Sequence, residues 1–299
     1  MIFKNAELHN VAELTECADG TYETHRFPLR VERALTEGGK NANRVSTGVE
    51  LRFRLNSDRA VIRLHTSPDE AQSSCAYVFH GSILGGWYEY KKYILCGEMQ
   101  EIVVERAKNP EALRKMTEVS GLPFSSELVR LVFDNTHLHL HSIEGDVEPP
   151  RPTDTPKRTY LAYGSSITHG SIGISTPNYW TSQVATALGA DLRNLGLAGS
   201  CRLEAEVADE IAAMGERGEW DFATLCMGIN IMRIPESEAE LLVRRMIWRK
   251  SPNSRRIIGA RRRFISIRRK MSKRSKRRLR KAAVLTRRVV WWRGCAGIV

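Results

Sequence analysis

The sequence predicts an α/β protein, with an antiparallel β-sandwich followed by a parallel sheet that has helical crossovers. Three observations carry that prediction. Up to residue 145, apolar residues recur at every second position in short runs; a proline-rich stretch follows; beyond it, apolar runs alternate with stripes at helical spacing. Short period-two runs separated by turns are the pattern of a sandwich. Strand alternating with helix implies parallel pairing.

The first half reads as strands throughout. GVELRFRLN (48–56) puts Val49, Leu51, Phe53 and Leu55 on one face against polar partners. AVIRLH (60–65), CAYVFH (75–80), EIVVE (101–105) and LVRLVF (128–133) read as further strands, with Asn56-Ser57-Asp58 as a turn. THLHLHS (136–142) sets Leu138 and Leu140 against His137, His139 and His141. Such a histidine trio can chelate a metal, but no carboxylate or cysteine spacing supports it, so a solvated strand face and no metal are expected. Residues 144–158 hold four of the eleven prolines and little apolar content. Proline favours extended, solvated backbone, so 146–157 reads as a linker.

In the second half, TYLAYG (159–164) reads as a buried strand. A helix over 177–189 carries Trp180, Val184 and Leu188 on one stripe, with Pro177 near its start and Gly189 at its end. ADLRNLG (190–196) is the next strand. Leu203, Val207, Ile211 and Met214 form a second helical stripe, closed by Gly215 or Gly218, and WDFATLCMG (220–228) is a third strand. Pro235 opens a third helix, with Glu236, Glu238 and Glu240 near its start.

Composition narrows the class. With 42% hydrophobic and 27% charged residues the chain can bury a core, which excludes a wholly disordered protein. No run approaches the roughly 18 apolar residues of a membrane span. The opening MIFKNAELHNVAEL has no apolar signal core, so a cytoplasmic location is expected. Cys17, Cys75, Cys96, Cys201, Cys226 and Cys295 show no CxxC spacing and read as free thiols. The net charge of +12 is unevenly placed. Of 46 Lys and Arg, 22 lie in 244–299, where there is no Asp or Glu. Residues 1–243 therefore carry 24 basic against 34 acidic side chains, a net of −10.

Three strand ends present a glycine with a small polar residue: YGSSITHG (163–170), NLGLAGS (194–200) and CMGIN (226–230). In a parallel α/β sheet, ligand sites form beyond the carboxyl ends of the strands. Acyl transfer needs a nucleophile and donors aimed at a developing oxyanion. The Ser166 hydroxyl fits the first need. The backbone N–H groups of Ser166 and Gly199 and the Asn230 amide fit the second.

This ordered set resembles the SGNH hydrolase family, the GDSL-type esterases and lipases. GSSI (164–167) is similar to its first block, with Ser166 at the nucleophile and Ser165 where many members have Asp. NLGLAGS is similar to the second, with Gly199 at the oxyanion-hole glycine, and MGIN to the third, with Asn230 at the oxyanion-hole asparagine. The resemblance implies a flavodoxin-like three-layer α/β/α domain behind a jelly-roll-like sandwich. It also implies a serine esterase without metal or organic cofactor, acting on a small-molecule or acylated carbohydrate ester. The domains expected are 1–145 sandwich, 146–157 linker, 158–245 hydrolase domain and 246–299 basic tail. The family's Asp-x-x-His block is missing, because no Asp follows Asp221 and no His follows His169. The general base is thus unassigned, and the hydrolase domain reads as incomplete and impaired. His169, three residues after Ser166, is a poor substitute on its short arm.

Two further readings concern the ends of the argument. RRRFISIRRKMSKRSKRRLRK (261–281) suits non-specific nucleic-acid contact or a solvated, disordered tail. The abrupt charge step after Glu240, together with the missing block, also fits an out-of-frame translation. The competing function is a binding protein, using Trp87 and Tyr88 to stack carbohydrate or the basic end to hold nucleic acid.

Overall fold

The computed structural model describes residues 1–67, 74–85, 92–171, 173–232, 235 and 237–238. The helix expected from Pro235, the Trp87–Tyr88 pair and the basic 246–299 segment lie outside the described residues or almost wholly so.

The first half forms strands β1 (Ile2–Phe3), β2 (Ala6–His9), β3 (Glu13–Glu16) and β4 (Tyr22–His25), then helices α1 (Leu29–Glu32) and α2 (Glu37–Arg44). Strands β5 (Glu50–Leu55), β6 (Arg59–Thr66), β7 (Cys75–His80), β8 (Ile83–Leu84), β9 (Lys92–Ile94) and β10 (Gln100–Glu105) follow. Helix α3 (Pro110–Val119) separates them from β11 (Leu128–Phe133), β12 (Leu138–Glu144) and β13 (Val147–Glu148). One sheet runs β1-β2-β5-β11-β7-β8, with β13 beside β5 and β9 beside β7; the other runs β10-β6-β12-β4-β3. The pairings of both sheets are antiparallel, as expected. Their facing sides share one core that includes Leu8, Val49, Leu51, Phe53, Ile62, Leu64, Ile102, Leu131 and Leu138. Residues on opposite faces of a strand alternate, which is why this core falls on every second position of β5, β6 and β10.

Two features of this half go beyond what its periodicity states. The polar side of β5 does not face water. Arg52 is 1% exposed, Glu50 is buried, and both belong to an ion network that also holds Arg130 and Asp191. Part of the 146–157 stretch is anchored. β13 pairs with β5, and the buried Asp154 carboxylate accepts from Arg54 at 2.9 Å and from the Arg151 amide at 2.8 Å. Proline removes donors but leaves carbonyls and neighbouring side chains free to anchor the segment.

The second half contains β14 (Thr159–Gly164), the short helix α4 (Ser166–His169), α5 (Trp180–Leu188), β15 (Asp191–Asn194), α6 (Ala205–Glu216) and β16 (Phe222–Cys226). The described parallel sheet has the order β15-β14-β16. Tyr160 to Tyr163 are buried without alternation, as strands covered on both faces require. Val207, Ile211 and Met214 of α6 are buried as the stripe predicts, and Gly218 (φ +74°) follows its last turn. Helix α5 ends at Gly189 as expected, in the left-handed conformation (φ +56°). Its buried face is Thr181 and Ala185, one residue along from the Trp180-Val184-Leu188 stripe. Small side chains set how closely a helix can approach its neighbour, and here they outrank bulk.

By contacts the chain forms two compact units. One comprises Met1–Leu29, Asn43–Arg158 and Gly170–Arg193; the other comprises Arg30–Ala42, Thr159–His169 and the chain from Asn194 onward. Among the described residues no helix is long and apolar enough to cross a membrane.

Candidate active site

The site sits in the second unit and is built on strand register. Gly164 lies opposite Cys226 in the parallel β14–β16 pair. On the other side, the Leu195 N–H donates to Ala162 O and the Leu197 N–H to Gly164 O, both at 2.8 Å. Gly164, Leu197 and Cys226 therefore stand level at the carboxyl ends of three neighbouring strands. Ser166 and Gly199 lie two residues past that line, and Asn230 lies four past it. All three are accessible: Ser166 and Asn230 are half-buried and Gly199 is exposed.

Hydrogen bonds fix the three loops to one another. Asn194 is buried at the end of β15. Its Nδ2 donates to Thr168 O at 2.8 Å, and its Oδ1 accepts from the Gly196 N–H at 2.9 Å. The His169 ring Nδ1 lies 2.9 Å from Gly196 O. A Cβ on Gly196 would fall 2.4 Å from the His169 backbone nitrogen, so this crossing of loop and helix requires glycine. Sequence reasoning missed Asn194. Its signal was a strand-terminal Asn two residues before a Gly, but its role depends on a partner 26 residues away.

The third loop is tied in by Asn230, whose Oδ1 accepts from the Cys201 N–H at 3.1 Å. A carboxamide has one acceptor atom and one donor atom. Spending the oxygen on Cys201 leaves Nδ2 as the end that can donate elsewhere. Gly199 holds φ +66° with nothing within 4 Å of its missing Cβ, so its backbone conformation, not crowding, selects glycine. Burial pushes the Cys201 thiol up to about 12, which makes it an unreactive packing group.

Candidates for a general base can be placed in the same unit. Asp221, the last Asp of the chain, precedes β16. Its Oδ2 accepts from the Thr159 N–H at 3.0 Å, at the amino ends of the strands and the opposite rim from Ser166. His169 is 3% exposed, with its Nδ1 at the Gly196 carbonyl. Glu204, just before α6, has its carboxyl pushed up by burial.

Residues 157–217 match the family model described as GDSL-like lipase/acylhydrolase. A search of curated proteins finds no match. Among solved structures, the chain is similar to the salicylyl-acyltransferase SsfX3 from a tetracycline biosynthetic pathway. The TM-score is 0.62 at 18% identity, covering 81% of this chain and 67% of that one. It is also similar to a family two carbohydrate esterase from Cellvibrio japonicus, with TM-score 0.50, 13% identity, and coverage of 82% and 72%. At these identities the likenesses show the fold alone, a mixed α/β fold with antiparallel sheets and a parallel sheet.

Proposed function

We infer, from a segment that matches the GDSL-like lipase/acylhydrolase family model, that this chain carries a serine acyl-transfer site with Ser166 as nucleophile. The Ser166 and Gly199 N–H groups and Asn230 Nδ2 form its oxyanion hole. The observation that carries this reading is the Asn230 orientation, because its oxygen is committed to Cys201 and its donor end is left over. Ser166 Oγ attacks the ester carbonyl, and three donors hold the oxyanion. The leaving alcohol departs with the serine proton, giving an acyl-enzyme. Water, or another hydroxyl compound, then takes the acyl group and regenerates Ser166. A carbohydrate ester is the substrate class we favour, because one similar structure is a carbohydrate esterase.

Ser166 has no Asp-x-x-His partner in this sequence. Loss of the base in a triad costs on the order of a million-fold in kcat, while an oxyanion hole alone retains roughly a thousand-fold over water. The chain is therefore expected to hydrolyse an activated acetyl ester only slowly. Added imidazole, standing in for the base, should accelerate the full-length protein well above the Ser166→Ala variant. Equal rates for the two proteins with and without imidazole would remove Ser166 as nucleophile. Rapid Ser166-dependent turnover without imidazole would instead show that the chain supplies its own base.

A further inference from the structure

The exposed apolar side chains of the second unit fall in one place. Among its described residues the large apolar side chains that face solvent are Ile167 at 41%, Ile229 at 52% and Met232 at 46% exposure. A single exposed isoleucine needs no explanation. Here each lies within two residues of a side chain assigned to the acyl-transfer site: Ile167 follows Ser166, Ile229 precedes Asn230, and Met232 stands two beyond Asn230.

Local structure explains why these three face outward. Helix α4 begins at Ser166, and its Thr168 and His169 are buried, which leaves Ile167 on the open side. Past β16 the chain enters a 3₁₀ turn over Ile229–Ile231, and Met232 keeps helical backbone angles (φ −64°, ψ −20°). With three residues per turn, Ile229 and Met232 fall on one face, while Ile231 is buried. The bond from the Cys201 N–H to Asn230 anchors the turn that carries both. Sheet register sets the two loops side by side. Gly164 is opposite Cys226 in the parallel β14–β16 pair, and Ile167 and Ile229 each lie three residues beyond that line. Neighbouring strands run about 4.8 Å apart.

We propose that Ile167, Ile229 and Met232 form the acyl side of the site and select an apolar acyl group longer than acetyl. This rests on the reading of Ser166 as nucleophile. When Ser166 Oγ is acylated, the oxyanion donors hold the carbonyl oxygen, and the acyl chain stays at the serine while the alcohol leaves. The alcohol part of a carbohydrate ester is rich in hydroxyl groups, which lose hydration against an apolar surface and gain nothing there. An alkyl chain gains on the same surface, and exposed apolar patches mark ligand sites. Each methylene removed from water is worth about fourfold in binding. Acetyl has only a methyl group beyond its carbonyl and reaches little of such a surface.

p-Nitrophenyl acetate and p-nitrophenyl hexanoate share a leaving group and differ only in acyl length, so their rate ratio reads the acyl side alone. Imidazole-assisted hydrolysis by the full-length protein, less the rate of Ser166→Ala, is measured for both. The expected kcat/KM is at least about tenfold higher for hexanoate than for acetate. Ile229→Ser and Met232→Ser should each lower that ratio about threefold or more, and the double variant should bring it close to one. Val119→Ser, an exposed position on α3, should keep the wild-type ratio. Circular dichroism establishes that each variant is folded. A Ser166-dependent rate that is equal or higher with acetate, or a hexanoate preference unmoved in the folded double variant, overturns the proposal and leaves Ser166 as nucleophile. No Ser166-dependent rate with either ester overturns the nucleophile reading, and the proposal with it.

Discussion

Gly196 and Gly199 sit three residues apart and are glycines for different reasons, which substitution can separate. Alanine at 196 meets the His169 backbone at 2.4 Å and has nowhere to go. Gly196→Ala is expected to cost about 1–3 kcal/mol of stability in a denaturant titration. Gly199→Ala meets no atom and bears only its left-handed backbone, about 1–2 kcal/mol, and should leave the surrounding packing intact. Asn230→Asp keeps an acceptor for the Cys201 N–H but replaces the donor with a carboxylate oxygen. It should therefore fold normally while the imidazole-assisted, Ser166-dependent rate falls roughly 100- to 1,000-fold. At this scale the sequence shows glycine and small polar residues recurring at strand ends, where Ser166, Gly199 and Asn230 stand. It hides Asn194, whose partner Thr168 lies 26 residues away.

At the scale of elements, β5 shows how far periodicity reaches. Its alternation predicts the inner face correctly, yet says nothing of what covers the other. Arg52 makes two hydrogen bonds of 2.7 Å to Asp191 and a third of 2.8 Å to Glu50, and its guanidinium carbon lies 5.2 Å from the Phe124 ring centroid. Burial alone would raise the Asp191 carboxyl, but Arg52 and His9 outweigh it and hold it below the usual range. Glu50 is likewise held low by Arg130 and Arg52 against the effect of burial. Burial, then Arg52, lowers His9. All three groups bind protons more weakly folded than unfolded, so each contribution is lost on acidification. The His9 part fades below about pH 6.5 and the carboxylate part below about pH 4. Asp191→Ala should destabilise the protein by about 3–5 kcal/mol at neutral pH, and should flatten the stability profile below about pH 4. A pH series of urea melts on both proteins measures this. A strand's period also fails to foresee the register shift between Leu140 and Ser142 of β12, because the extra residue is set by cross-strand pairing.

For the molecule as a whole, charge and connectivity carry the predictions. The 22 Lys and Arg of 244–299 should give DNA retention that falls steeply with salt and vanishes on deleting 246–299. Retention that survives the deletion would move the binding surface into the acidic remainder. Reading the coding DNA past codon 240 in the other two frames decides the frameshift hypothesis. An Asp-x-x-His in strand–helix sequence there supports it, and its absence in both frames ends it. The order of sandwich, parallel sheet and basic end is legible along the chain. Membership of the compact units is not, because periodicity describes a segment's faces and never which distant segment completes its core.

The chain changes unit five times, at 29/30, 42/43, 158/159, 169/170 and 193/194. Severing it in the proline-rich stretch would strip the sandwich of α5 and of Asp191, the bidentate partner of Arg52. Residues 1–157 therefore lack part of their own compact unit, and a clone of them should emerge as aggregate.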